Sequence, residues 1–497
     1  MPRPIRVLLD LSMASRGYCG IAQDVRLLYK TLALCPNVEV TGLVYRPQKF
    51  ARVHRFHGPR ASHSERVANQ AEFLWKLSEP GMTWPTFRPA RMLRQAQVVG
   101  STFAARTASL DALDTAKFWP TLWRLLFSQT LPPEDISLVQ RGNFLLSDLS
   151  DGMIFARTFT RRAPIRLDTT GFDFLIVQGP RAFRTSKGTR QIVRYHDMIP
   201  VLEPDTMGNP LVIAWHHRAI RENRDSYFVC NSEPTRTDLT RIHPALMDRS
   251  ATIPYMLSDV YRAEPNRALL HSILRTRRSP ASGPGPDRPL RGNVRYIMTV
   301  STLEPRKNFL GLIQAFNQLK ARLRPSNLKL VIVGSPGWRY EPILAAMRSL
   351  VDRGDVVHLE RVKSEELRVL YTHAEAFVFP STAEGFGFPP LEAMSCDVPV
   401  IASDLPAHRW VLGDAALYCN ALELTSIAAA IEQLVAADDS AALRKSLVAR
   451  GRQRVRKFTL ERCSGQWQEL LARLQPTLAS TASQARLPGR AERTRSA

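Results

Sequence analysis

The sequence predicts an α/β protein of two Rossmann-like domains, each a parallel sheet with helices on both faces. The first observation behind this is size: 497 residues exceed what one hydrophobic core serves, and about 100–200 residues per domain gives two domains with extra segments. The second is the alternation of short β-branched runs with amphipathic stretches, which reads as successive βαβ units. The third is a Pro-, Gly- and Arg-rich run from Arg275 to Gly292 that divides the alternation into two series. With 44% hydrophobic and 23% charged residues, the composition is that of a globular chain rather than a disordered or membrane-spanning one.

The first series opens with a strand at Ile5 to Leu9, a loop through Gly17 and Gly20, and a helix from Ile21 to Leu34. Further strands are expected at Phe174 to Gln178, Gln191 to Tyr195 and Tyr227 to Cys230. Between them lies an insert with an acid-free basic stretch from Arg46 to Ser64 and an aromatic amphipathic segment from Lys117 to Phe127. Trp119, Trp123 and Phe127 of that segment either line the core or rest on a membrane surface. The second series places strands at Arg295 to Val300, Lys329 to Val333, Val356 to Leu359, Ala376 to Phe379 and Val398 to Ala402. The chain is accordingly divided into a first domain over 1–265, a linker over 266–292 and a second domain over 293–457. A helix over 458–475 is expected to return to the first domain, followed by a disordered basic tail over 476–497.

A formal charge of +23 favours polyanions, anionic lipid surfaces or phosphorylated ligands as partners, and the absence of a nucleic-acid reading module argues against nucleic acid. Cys19, Cys35, Cys230, Cys396, Cys419 and Cys463 lie far apart without zinc or redox spacing, so reduced thiols are expected. The apolar run within Met1 to Asp10 is too short for an export signal. No apolar stretch approaches the about 20 residues that span a bilayer, and a cytoplasmic protein with at most peripheral membrane contact is predicted.

Ligands of open parallel sheets bind beyond the carboxyl ends of the strands, so the loops there carry the chemistry. The strongest signal is Glu384-Gly-Phe-Gly-Phe-Pro-Pro-Leu-Glu392, between the strand ending at Phe379 and a helix starting near Pro389. Proline suits the first helical position, and the free amides at Gly387 and Phe388 can hold a phosphate. Gly385 and Gly387, beside Phe386, let a ligand approach the backbone. Glu392, expected in the first helical turn, can accept hydrogen bonds from both ribose hydroxyls, and Glu384 from a sugar; two lone glutamates here could otherwise serve only as capping charges. After the strand at Arg295 to Val300, Ser301-Thr-Leu-Glu-Pro-Arg-Lys-Asn308 offers the planar fork of Arg306 and the compact charge of Lys307, a set that suits a pyrophosphate. Leu330-Val-Ile-Val-Gly334 follows as the next strand and loop. There is no Asp-x-Asp triplet, no Walker loop and no Gly-x-Gly-x-x-Gly fingerprint, which argues against metal-dependent transferases of the other common architecture, kinases and ordinary dehydrogenases.

These elements together resemble glycosyltransferase family 4, whose signature has two glutamates separated by seven residues and flanking a Gly-Phe-Gly turn. The resemblance runs closely from Val294 to Tyr418 and touches the first half at scattered points. There, Gly17 and Gly20 resemble the family's donor-facing glycine loop, although Ala22 departs from its tighter Gly-Ile-Gly pattern. His196, in Arg194-Tyr-His-Asp-Met-Ile-Pro200, matches a histidine placed over the donor sugar, with Asp197 expected to orient it. Asn231-Ser-Glu-Pro-Thr-Arg-Thr-Asp238 is expected only to cap a helix.

The resemblance implies the GT-B fold, two Rossmann-like domains facing a central cleft, and a retaining transfer that needs neither cofactor nor metal. It further implies Glu384, Arg306, Lys307 and His196 as the catalytic set. Donor binding would fall to Glu392, Gly385, Phe386, Gly387, Phe388, Gly20 and Gly334. The donor would be a nucleotide sugar and the acceptor a glycan or lipid-linked oligosaccharide at the inner face of the cytoplasmic membrane. The motifs look most like bacterial mannosyl- or rhamnosyltransferases of O-antigen and exopolysaccharide synthesis, with a GDP-sugar as first expectation. UDP- or dTDP-sugar donors, a nucleotide-sugar epimerase and a non-catalytic subunit of glycan assembly remain the alternatives.

Overall fold

The computed structural model describes residues 3–15, 17, 20–45, 62–78, 107–108, 110–147, 149, 154, 158, 164–181, 183–206, 210–283, 294–323 and 327–475. Residues 46–61 of the basic stretch, Cys19, residues 284–293 and the tail over 476–497 lie outside them.

The first sheet comprises β1 (Ile5–Asp10), β2 (Val38–Tyr45), β3 (Leu110–Ala112), β4 (Asn143–Ser147), β5 (Phe174–Gln178), β6 (Arg190–Tyr195), β7 (Tyr227–Cys230) and β8 (Ser250–Thr252). Its order is β8-β7-β6-β5-β1-β2-β4-β3, parallel except for β3, which pairs antiparallel with β4. The second sheet comprises β9 (Tyr296–Val300), β10 (Lys329–Val333), β11 (Val356–Leu359), β12 (Ala376–Phe379), β13 (Val400–Ser403) and β14 (Ala416–Cys419), all parallel in the order β11-β10-β9-β12-β13-β14. Each order reverses beside its first strand, between β1 and β5 and between β9 and β12. A crevice opens at such a reversal because the flanking crossovers leave in opposite directions.

Both sheets are covered on both faces, which explains why their strands read as nearly unbroken apolar runs. Val7 and Leu9 enter one core while Leu8 enters the opposite one; Tyr296 and Met298 are likewise separated from Ile297. The helix α1 (Gly20–Leu34) packs under the first sheet. In the insert, Phe127 is buried, and Phe118, Trp119 and Trp123 pack half-buried on the same core, so this aromatic segment turns inward rather than toward a lipid surface. Among the described residues no helix is long and apolar enough to cross a membrane. The five described cysteines are buried free thiols, inert packing groups rather than exposed nucleophiles.

The expected linker over 266–292 requires correction. Within it α3 (Leu270–Thr276) buries Leu270, Ile273 and Leu274 in the second core, and Ser279 N–H donates to His358 C=O at 2.9 Å. The second domain therefore begins well before residue 293. The true crossing lies near residues 253–257, where Ile253 and Met256 enter the first core while Tyr255 and Leu257 enter the second. The chain crosses back ahead of the terminal helix, residues Leu460–Leu474, which buries Cys463, Trp467, Leu470 and Leu471 in the first core. The two crossings touch: Leu257 N–H donates to Phe458 C=O at 2.9 Å.

One buried ion pair joins these pieces. Arg194, at the end of β6, donates to Asp24 of α1 through Nε at 2.9 Å and Nη2 at 3.1 Å, and through Nη1 to Ile253 C=O at 2.6 Å. Its guanidinium also lies over the rings of Tyr255 and Trp467, 4.9 and 5.8 Å from their centroids. Both charges are fully buried, so each depends on the other to offset its desolvation. Asp24→Ala is expected to cost about 3–5 kcal/mol in urea unfolding, whereas the double variant Asp24→Leu, Arg194→Met should recover most of that loss. A double variant as unstable as the single one would count against this account.

Candidate functional site

The loops at both sheet reversals face each other across a cavity of about 610 Å³. All of the residues expected to carry chemistry or hold a donor line it: His196, Arg306, Lys307, Glu384, Gly385, Phe386, Gly387, Phe388, Glu392, Gly20 and Gly334. A larger and more open groove lies at the opposite end of the first sheet, lined by exposed arginines and by none of these residues.

Each loop has a local cause. Pro305–Lys307 forms a single 3-10 turn, ended by Asn308 in the left-handed region at φ 54°, whose side chain caps α4 (Phe309–Arg322) by accepting from Gly311 N–H. This turn aims Arg306 and Lys307 sideways into the cavity, and Thr382 N–H donates to Arg306 C=O at 2.8 Å, tying the β9 loop to the β12 loop. Gly387, at φ 95° and ψ 82°, reverses the chain directly ahead of α5 (Phe388–Ser395), a conformation that a side chain would strain. Gly385 presses against the first domain, where a Cβ would stand 2.4 Å from the His196 carbonyl oxygen. Gly334 packs against the Ser301 carbonyl and Gly20 against the ring of Phe388, so in both places the lack of a side chain also serves packing.

The charged groups do not stand apart. Glu384 pairs with Lys307 Nζ through Oε1 and with Arg306 Nη1 through Oε2 at 3.3 Å, and Arg306 Nε also meets Glu304 at 3.3 Å. Burial alone would raise the Glu384 carboxyl, but Lys307 and Arg306 outweigh it and hold it down to about 2. Glu392 has the opposite environment. It is the fifth residue of α5 and thus begins the second turn, one position past the expected first turn. Its carboxylate accepts from the Tyr371 hydroxyl at 3.0 Å, with Tyr261 and Gln23 beside it and no cation among these neighbours. Burial raises it to about 7, against those hydrogen bonds.

His196 departs from expectation in its partner. Its Nδ1 bonds the Tyr255 hydroxyl at 2.5 Å, while the Asp197 carboxylate accepts from Ile199 N–H at 3.1 Å and faces Arg306 and Lys307. Asp197 therefore does not orient the histidine; Tyr255 does. Burial, reinforced by Arg194, pushes the imidazole down to about 3, so the ring is neutral at physiological pH. Its Nε2 and the Oδ1 of Asn231 are buried on the cavity wall without a hydrogen-bond partner among the described residues. Both atoms are thus open to a partner from the cavity, whether water or a polar ligand.

Several contributors were not anticipated. Ser232 caps α2 (Glu233–Ile242) as expected, but its hydroxyl also donates across the cleft to Gly385 C=O at 2.7 Å, joined by Thr235 at 3.2 Å. Tyr255 stacks on Phe388, with centroids 4.7 Å apart and planes 6° from parallel. Arg26, fully buried, donates to the carbonyls of Ala14, Gly17 and Leu126 and so anchors the chain at Gly17. The available signal was two charged residues, Asp24 and Arg26, within a helix that is buried from Ala22 to Leu32.

Comparison with known proteins gives this geometry a family. The profile described as glycosyl transferases group 1 matches residues 286–454. O-antigen chain mannosyltransferase B of Escherichia coli is 30% identical over 293 residues, covering 59% of this chain and 72% of that protein. The chain is a group 1 glycosyltransferase. RfbU of Salmonella typhimurium, an O-antigen chain mannosyltransferase, is 34% identical to this glycosyltransferase over 158 residues, 31% of this chain and 42% of that one. Sucrose-phosphate synthase of Thermosynechococcus elongatus superposes with a TM-score of 0.57 at 15% identity, over 95% of this chain and 99% of its own. Anabaena HepE in complex with UDP and glucose gives 0.50 at 14% identity, over 94% and 100%. These two likenesses are of fold, the two-lobed GT-B architecture.

The raised Glu392 carboxyl has a consequence for stability. Its folded-state value lies above the unfolded 4.5, so protonation favours folding; the penalty of ionising it is absent below pH 4.5, grows as pH rises, and is complete above about 7. Glu392→Gln is therefore expected to stabilise the protein at pH 8 by up to about 3 kcal/mol, at about 1.4 kcal/mol per pKa unit, and to have no such effect near pH 4.5. Urea unfolding of both proteins at the two pH values checks this.

Proposed function

We propose that this glycosyltransferase moves a mannosyl group, with a GDP-sugar as donor, onto a growing glycan or lipid-linked oligosaccharide in surface polysaccharide synthesis. The observation that carries the reading is the convergence of Arg306, Lys307, Glu384, Glu392 and His196 on one cavity, in a chain that matches most of an O-antigen chain mannosyltransferase. The chemistry follows from the charges. Breaking the bond between the anomeric carbon and the diphosphate oxygen leaves the electron pair on that oxygen. Arg306, Lys307 and the free amides ahead of α5 can stabilise it there, each such contact being worth about 2.7–4 kcal/mol.

These cations supply what a divalent metal would otherwise provide, and the transfer is read as metal-independent. The acceptor hydroxyl attacks the anomeric carbon on the face that the diphosphate leaves, and its proton passes to the departing phosphate oxygen, so configuration is retained. Neutral His196 offers Nε2 as a hydrogen-bonding group to the sugar, and the Glu392 carboxyl accepts from the ribose hydroxyls. The acceptor meets the first domain. Contact with the inner face of the membrane rests on the basic stretch over 46–64, since the aromatic segment is inward-facing.

The test is mannose transfer and donor hydrolysis with a panel of GDP-, UDP- and dTDP-sugars, read with the anomeric configuration of the product and with chelator present. GDP-mannose should be consumed with retention and without chelator sensitivity. Arg306→Ala or Lys307→Ala should lower kcat/KM by about a hundredfold or more. Consumption of none of these donors, or full turnover by both variants, would overturn the assignment.

A further inference from the structure

Glu384 is engaged in a way that binding a sugar would not by itself require. Its two carboxylate oxygens are both engaged by the cations of the diphosphate loop, Lys307 through Nζ and Arg306 through Nη1. Glu304 adds a second carboxylate on Arg306, and the Asp197 carboxylate faces the same group from the first domain. Three carboxylates therefore surround two cations, in a place where Glu384 and Lys307 are 8% and 10% exposed. A diphosphate arriving beside those cations adds two or more negative charges. In such a poorly solvated setting the like-charge repulsion with a stationary Glu384 is large.

We propose that Glu384 is the resting counter-ion of Arg306 and Lys307, and that the donor's diphosphate takes both cations from it while the sugar hydroxyls receive the displaced carboxylate. This rests on the reading of the cavity as a nucleotide-sugar site. The geometry favours an exchange over a fixed triad for two reasons. The cations cannot stay buried without an anion, so something must neutralise them before the diphosphate does. The carboxylate sits on the same loop as Gly385 and Gly387, whose backbones fix the loop's path, so the part left to move is the Glu384 side chain rather than the loop. The exchange makes the nucleoside diphosphate alone a poor ligand, because it must break the ion pairs and offers no hydroxyls in return. The complete donor does both, and the sugar thereby contributes to the affinity for the nucleotide.

The experiment is calorimetric titration of the full-length protein and of Glu384→Gln with GDP and with GDP-mannose, or with UDP and UDP-glucose should the wild type take that pair. In the variant, affinity for GDP should rise by about tenfold, the scale of one charge contact freed from competition, and the preference for GDP-mannose over GDP should fall by about the same factor. Weaker or unchanged GDP binding would mean that Glu384 merely holds the cations in place, and equal tightening of both ligands would mean that the carboxylate is never transferred; either result overturns the exchange. Failure of the wild type to bind any nucleoside diphosphate would instead sink the reading of the cavity, and the exchange with it. Should Glu384→Gln not fold, a structure of the wild type with GDP decides the matter. Lys307 and Arg306 are expected on the phosphates and away from Glu384, and retention of both ion pairs beside bound diphosphate would overturn the proposal.

Discussion

The arrangement of this glycosyltransferase depends on the guanidinium of Arg194, which is buried completely and has a carboxylate, main-chain carbonyls and two aromatic faces around it. A buried cation tolerates no vague surroundings, because each unsatisfied N–H costs about as much as a lost hydrogen bond. Its neighbours come from distant parts of the chain: Asp24 from α1, Ile253 and Tyr255 from the first crossing, and Trp467 from the terminal helix. The site inherits this rigidity. Tyr255, held against Arg194, holds in turn the imidazole of His196 with its hydroxyl and the ring of Phe388 with its face. The ion pair thus reaches the cleft through Tyr255 as well as through the charge of Arg194 on His196.

The cleft itself sets two glutamates in opposed environments. Seven intervening residues separate Glu384 from Glu392, yet one is held down to about 2 and the other pushed up to about 7. Both are buried, so burial alone cannot distinguish them; the difference is that Glu384 faces two cations and Glu392 faces hydroxyls and an amide. Pairs of titratable groups driven apart in this way are characteristic of functional sites. Here the separation follows from one turn at Gly387, which sends the first carboxylate toward Arg306 and Lys307 and the second into the wall of the second domain.

What the sequence made legible follows from what is local. The loop over 384–392 announces itself because glycine, proline and acid stand next to one another, and the 3-10 turn at Arg306 follows a strand whose neighbours are equally plain. Contacts formed across long separations leave no such mark. Asp24 reads as one polar residue on an amphipathic helix until Arg194, 170 positions away, is brought against it. Tyr255, Tyr261 and Tyr371 look like ordinary core aromatics, and their hydroxyls gain purpose only when His196 and Glu392 arrive. The apolar triplet Leu270, Ile273 and Leu274 had helical spacing, but the prolines, glycines and arginines that follow outweighed it and made a packed helix look like a linker. Glu392 was placed one residue too early because the helix starts at Phe388, a boundary set by the backbone of Gly387 rather than by proline.

The hydrogen bond from Leu257 to Phe458 joins the two stretches of chain that pass between the lobes. A single tether would act as a ball joint and let one lobe roll or slide over the other. Two tethers laid side by side and bonded together behave as a pin, so the lobes can swing about that line but cannot easily twist across it. Any opening that admits a substrate must then return the loops at Gly385 and His196 to the same register, and the precision of the closed mouth is inherited from the seam beside it, where Phe458 meets the ring of Phe386.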